Sequence, residues 1–245
     1  MKKILTTIFT ATIALCAIAA PKTYVALSPD GKLKVNVTEG KNIAYTLTYD
    51  GTQLISPSPI SMTLADGSVY GGTMKAKKAL LKSVDESIKT VAYKKSSVTD
   101  HYNELTLQYA TFDLKFRVYD DGMAYRFISK ATEPFTIKSE QATFAFPSDW
   151  KAYVPYSNGY LPTIEGQFMN SFENYYVHCP ISQLDTKRIA FLPLVVEAPD
   201  SVKLCITEAD LLDYPGMFLQ GNGTSTLHSI MAPYPKKIIQ GGHNM

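Results

Sequence analysis

Between Tyr24 and Phe146 apolar and polar residues alternate one by one, run after run, and this period constrains the fold more than any other feature of the chain. Leu33, Val35 and Val37 alternate with Lys32, Lys34 and Asn36; Tyr45, Leu47 and Tyr49 with Ala44, Thr46 and Thr48. Leu105, Leu107 and Tyr109 alternate with Glu104, Thr106 and Gln108, and Leu114, Phe116 and Val118 with Asp113, Lys115 and Arg117. Successive strand side chains point to opposite faces, so each run predicts a strand with one buried and one wet face, as in antiparallel sheets. Pro29-Asp30-Gly31, Asp50-Gly51, Asp66-Gly67 and Asp121-Gly122 punctuate the runs. Asp-Gly readily takes the positive φ values of tight hairpin turns. Before Phe146 no helical period persists beyond about ten residues. Met74 to Leu81 reads as a short helix or, equally, as an edge strand or loop rich in lysine. About a dozen strands with so few helices predict an all-β fold, a large two-sheet antiparallel β-sandwich.

A hydrophobic fraction of 45%, with 16 Tyr and 11 Phe among 245 residues, is enough for a sizeable core and argues against disorder. Residues 1–19 read as a signal peptide: Lys2 and Lys3 precede an apolar run from Ile4 to Cys16, and Ala17-Ile18-Ala19 is a small-residue cleavage site. That run is short for a bilayer span, so export to the periplasm is expected and a stable membrane anchor is not. Without Lys2 and Lys3 the basic and acidic residues balance at 22 each. A neutral total gives no electrostatic case for nucleic acid or an anionic membrane as partner. Cleavage leaves Cys179 and Cys205, which could form a disulfide or stay as two thiols.

Beyond Phe146 the texture changes. Pro147 to Gln167 is irregular and aromatic, with Trp150, Tyr153, Tyr156 and Tyr160, and reads as a packed surface loop or a rim facing sugar. In Ser171 to Cys179 the alternation puts Glu173 on one face with Tyr175 and Val177, a costly place for a carboxylate unless it is paired or bound to a cation. Ile189 to Val196 is almost wholly apolar and predicts a strand covered on both sides. Val202, Leu204 and Ile206 form the return strand. Glu208 and Asp210 then open a short turn or helix that Pro215-Gly216 ends.

Three stretches, ITEADLLDYPGMFL (Ile206–Leu219), FMNSFENYY (Phe168–Tyr176) and RIAFLPLVVE (Arg188–Glu197), resemble the N-terminal domain of glycoside hydrolase family 97. SPDGKLKVNV, ISMTLADG and RVYDDGMAYRF, earlier in the chain, are similar to that domain's strands and turns. The resemblance implies a galactose-mutarotase-like super-sandwich placed before a (β/α)₈ catalytic barrel in bacterial exo-acting α-glucosidases and α-galactosidases. Residues 20–232 would be the sandwich, and 233–245 a connector toward a barrel missing from this chain.

The resemblance further implies that Glu173, the glutamate of the FEN-x-Y segment, is a calcium ligand whose fellow ligands come from the barrel. A structural ion pair, for example with Arg188, is the competing role. Glu208 and Asp210 are candidate substrate-binding residues, although helix capping would also account for them. Acid, base and nucleophile would lie on the barrel, so no catalytic residue is expected here, and the fragment alone is expected to be inactive. The implied substrate is an α-linked oligosaccharide, with α-glucosides ahead of α-galactosides. A carbohydrate-binding module that stands alone without hydrolysis is the alternative.

Overall fold

A computed structural model of the chain describes residues 21–158, 163–168 and 172–234. The signal-peptide reading and nearly all of the connector lie outside these residues. Strands come in the order β1 (Lys22–Leu27), β2 (Leu33–Glu39), β3 (Ile43–Tyr49), β4 (Thr52–Leu64), β5 (Val69–Tyr70), β6 (Lys78–Lys89), β7 (Ser97–Gln108), β8 (Phe112–Val118) and β9 (Met123–Ser129). There follow β10 (Ile137–Ala145), β11 (Lys151–Val154), a helical turn α1 (Ile164–Gln167), β12 (Val177–Pro180), β13 (Leu194–Glu197), β14 (Lys203–Ile206), β15 (Met217–Gly221) and β16 (Thr226–Met231).

The fold is an all-β antiparallel sandwich whose strands fall into three sheets. The largest runs β1-β2-β3-β4-β10-β16-β15, with β5 also on β4; the second runs β6-β7-β8-β9 and the third β12-β11-β13-β14. One hydrophobic core joins all three. Val35, Val37, Ile43, Tyr45 and Ile60 come from the first sheet, Leu107, Leu114, Phe116 and Val118 from the second, and Ala152, Val154, Leu194 and Val196 from the third. Rings stitch the first sheet to the second: Tyr70 stacks on Phe112 at 4.5 Å, and Tyr45 meets Phe116 at 6.1 Å.

All four Asp-Gly sites are turns between strands. At the tightest, Asp50 and Gly51 have φ of 47° and 81° and keep Tyr49 opposite Thr52, the two-residue hairpin that sequence predicts. Met74 to Leu81 is not helical; it leads into β6, an edge strand that pairs only with β7. Two features were not readable in advance. β4 is central despite Pro57 and Pro59, which cannot donate to a ladder. Its pairing with β3 shifts register there, β10 pairs only from Ile60 onward, and the Ser58 hydroxyl accepts the Ala145 N–H at 2.9 Å instead. From Glu104 to Leu107, β7 is buried on both faces, not one. Glu104 and Thr106 lie under Lys115 and Arg117 of β8, whose nitrogens reach the Glu104 carboxylate at 2.7 and 3.0 Å. Burial pushes the Glu104 carboxyl up, but those two cations outweigh it and hold it below its ordinary value.

A second buried carboxylate joins the sheets. Glu39, on β2, accepts from the Tyr109 hydroxyl at 2.8 Å, the Ala76 N–H at 2.7 Å and the Tyr24 hydroxyl at 3.3 Å. Three donors satisfy a charge that would otherwise be costly in the core.

Candidate functional site

Glu173 does not sit on a strand. Residues 172–176 are irregular and β12 begins only at Val177, so the expected shared face with Tyr175 and Val177 does not exist. The segment is pinned on both sides of the glutamate instead. Phe172 packs edge-on against Tyr176 at 5.2 Å and against Phe191 at 5.9 Å. Asn174 accepts a 2.6 Å hydrogen bond from the Asn158 amide. Between these anchors Glu173 is exposed and, among the described residues, makes no hydrogen bond or ion pair. Arg188, the partner considered from sequence, is engaged elsewhere. Its guanidinium lies over the Tyr156 ring at 4.3 Å and donates to the Ser157 carbonyl at 3.1 Å.

Beside Glu173 runs a chain of rings that the sequence does not announce. Tyr176 touches Phe172, Phe172 touches Phe191, Phe191 meets Phe218 at 5.0 Å, and Phe218 meets Phe168 at 5.2 Å. None of the five is buried, so they form a partly open aromatic wall. The wall has a topological cause. Ala190 bridges both Tyr156 and Leu219, so the Ile189–Val196 run and β15 come together and turn Phe191 and Phe218 to the same place. That run is not one continuous strand: Pro193 lacks an N–H, and the ladder begins only at Leu194. From there β13 is central in its sheet, between β11 and β14.

The aromatic segment after Phe146 divides. Tyr156 is buried and Trp150 packs on Phe146, whereas Tyr153 on β11 is exposed and stacks on His178 at 4.4 Å. Tyr160 lies outside the described residues. Glu197 accepts from His178 Nε2 at 2.8 Å and Lys203 Nζ at 2.9 Å. The Lys203 and His178 hydrogen bonds hold its carboxyl down at about 2.

Glu208 and Asp210 occupy a loop with no helix, so capping is not their role. Both Glu208 oxygens face the Met217 N–H, at 3.0 and 3.2 Å, and close the loop onto β15. Asp210, in the left-handed region at φ 56°, pairs with Arg126 of β9. Tyr214 completes the fastening, donating to Glu140 of β10 at 2.5 Å. Burial pushes the Glu208 carboxyl up; it does the same at Glu140, where the nearby Glu208 charge adds to the effect. Glu173 and Glu208 share no hydrogen bond among the described residues, and the Glu208 loop is bound within the fold.

Cys179 and Cys205 cannot form a disulfide. β12 and β14 are opposite edges of a four-stranded sheet, so about 14 Å separates them at ordinary strand spacing, twice a disulfide's reach.

The family model for the Glycosyl-hydrolase 97 N-terminal domain matches residues 27–242. The chain belongs to this family. As a GH97 N-terminal domain it is similar to a retaining alpha-galactosidase of Bacteroides thetaiotaomicron, 44% identical over the whole chain but spanning only 37% of that protein's length. Its fold matches a family 97 enzyme from Pseudoalteromonas sp. strain K8 solved in complex with acarbose. The TM-score is 0.71 with 18% identity, over 85% of this chain and 32% of that one. A beta-arabinopyranosidase gives 0.70 with 20% identity, over 84% and 35%. The GH97 sandwich expected from the TEADLLDYPGM and FEN-x-Y stretches is therefore the fold observed.

Proposed function

We propose that this chain is the N-terminal β-sandwich of an exported, calcium-dependent, exo-acting α-glycosidase, lending Glu173 to an active site completed by a catalytic domain. The observation that supports the reading most is 44% identity, along the whole chain, to a retaining alpha-galactosidase. It moves α-galactosides ahead of α-glucosides as substrate, the reverse of the order expected from sequence.

Glu173 fits one part of a calcium site: its carboxylate is exposed, without a partner among the described residues, and held on a pinned segment. Ca²⁺ takes six to eight oxygens. Among the described residues no group of three or more His, Cys, Asp or Glu could hold a metal ion, so the other ligands would come from outside them. A bound calcium would supply charge to polarise a sugar oxygen. The aromatic wall beside Glu173 would meet the apolar face of a pyranose and keep water from it. Glycoside hydrolysis needs two carboxyl groups across the scissile bond. Glu140 and Glu208 are tied into the fold by Tyr214 and Met217, so neither is assigned that role.

The test uses the longest natural protein that carries this chain. There Glu173→Gln is expected to weaken calcium binding about 10- to 100-fold by calorimetry, and to lower hydrolysis of a nitrophenyl α-galactoside with it. Turnover of that substrate by residues 20–245 alone, or a calcium isotherm unmoved by the substitution, would overturn the reading.

A further inference from the structure

β6 and β7 are paired along their full length, from Lys78 opposite Gln108 to Lys89 opposite Ser97. β8 reaches only Asn103 through Gln108 of β7. Val84 and Tyr102 are still buried against the body, and from Asp85 and His101 outward the hairpin is a two-stranded arm of about 15 Å at ordinary strand rise. Its tip is closed by the Thr90 N–H on the Ser96 carbonyl at 3.1 Å, with the Thr90 hydroxyl on the Lys95 carbonyl.

The tip does not look like a merely solvated loop. Val91 is fully exposed, and Tyr93 and Ile88 remain 58% and 46% exposed. Lys89, Lys94 and Lys95 surround them, and none of the three is in an ion pair among the described residues. The arm's acidic residues, Asp85, Glu86 and Asp100, lie toward its base, so charge is graded along it and positive at the end. The neutral total of the chain conceals this.

We propose that the β6–β7 tip is a reversible docking element for an anionic phospholipid surface, with Val91 and Tyr93 entering the interface and Lys89, Lys94 and Lys95 meeting lipid phosphates. A convex, narrow tip suits a fluid surface, and tyrosine is at home at the headgroup level. Lysine is depleted in the cores of protein–protein interfaces but adds attraction near an anionic leaflet. Two or three small apolar groups with three charges make a contact that forms and breaks, not an anchor.

The experiment is co-sedimentation of the full 245-residue chain with phosphatidylglycerol-containing and pure phosphatidylcholine vesicles. Wild type is compared with K89Q/K94Q/K95Q and with V91S/Y93S. The N-terminal apolar run is common to all three, so only differences between them report the arm. The triple lysine variant is expected to lose about a hundredfold in partitioning to the anionic vesicles. Loss of the wild-type advantage on raising ionic strength is expected too. V91S/Y93S should weaken binding to the same vesicles, and far-UV circular dichroism should be unchanged because every altered side chain is exposed. Equal partitioning of wild type and the lysine variant overturns the proposal. So does a photo-crosslinker at position 93 that captures a protein rather than lipid in cells.

Discussion

At Glu208, both carboxylate oxygens lie within reach of one backbone N–H, and removing them leaves the Met217 amide without its partner. Glu208→Ala is therefore expected to cost about 1–2 kcal/mol in urea unfolding, with Glu208→Gln milder because one acceptor survives. The same loop carries a pH dependence. Burial raises the Glu208 and Glu140 carboxyls above their ordinary values, so the fold binds their protons more tightly than the unfolded chain does. That stabilisation is complete below the ordinary carboxylate range and fades as pH rises through the raised folded values. Amides 208–217 should accordingly show lower hydrogen-exchange protection factors at pH 7 than near pH 4, and Glu140→Gln should flatten the difference; a slope unchanged in that variant would refute it. The cysteines make a simpler test. Cys205 is exposed and Cys179 half-buried, its thiol pushed up by burial. A thiol reagent should label Cys205 rapidly and Cys179 slowly, and reductant should leave the melting temperature where it was.

Among the elements, β8 turns four fully buried side chains, Phe112, Leu114, Phe116 and Val118, into the core. Phe112 is fully buried between Tyr70 and Tyr109, and Phe112→Ala should lower stability by about 3–5 kcal/mol in equilibrium denaturation. Gly71 is the backbone counterpart. Its φ is +98°, and an added Cβ would come within 2.5 Å of the Ile60 carbonyl, so Gly71→Ala should be destabilising even though it removes no contact. The strands around these positions were legible because period two and Asp-Gly turns are local signals. β4 was not, because two prolines argue against a central strand and only a distant partner, the Ser58–Ala145 contact, rescues it. The two-sided burial of β7 was hidden for a related reason. Whether Glu104 faces water depends on Lys115 and Arg117 of another strand, and no pattern within β7 encodes that. The candidate site shows the same division. FEN-x-Y pointed to Glu173 as a distinctive residue, but its pinning by Phe172 and Asn174 and the wall from Phe168 to Phe218 arise from contacts across 50 residues of chain.

For the molecule as a whole, sheet order sets a timetable as well as a shape. β4 finds its partner in β10, and β10 finds its other partner in β16, while β6 to β9 pair only among themselves in between. A ribosome delivers the chain from its N-terminus. The first four strands therefore emerge with the Ile60–Leu64 edge of β4 bare, and it stays bare while β6 through β9 close on their own. Contacts so distant in sequence make folding slow, on the order of milliseconds to seconds. Throughout that interval the Ile60–Leu64 end of β4, with Ile60, Met62 and Leu64, is an open template for another chain. Pro57 and Pro59, awkward for the finished ladder, are then well placed: just before Ile60 they stop an intruding strand from extending along the rest of β4.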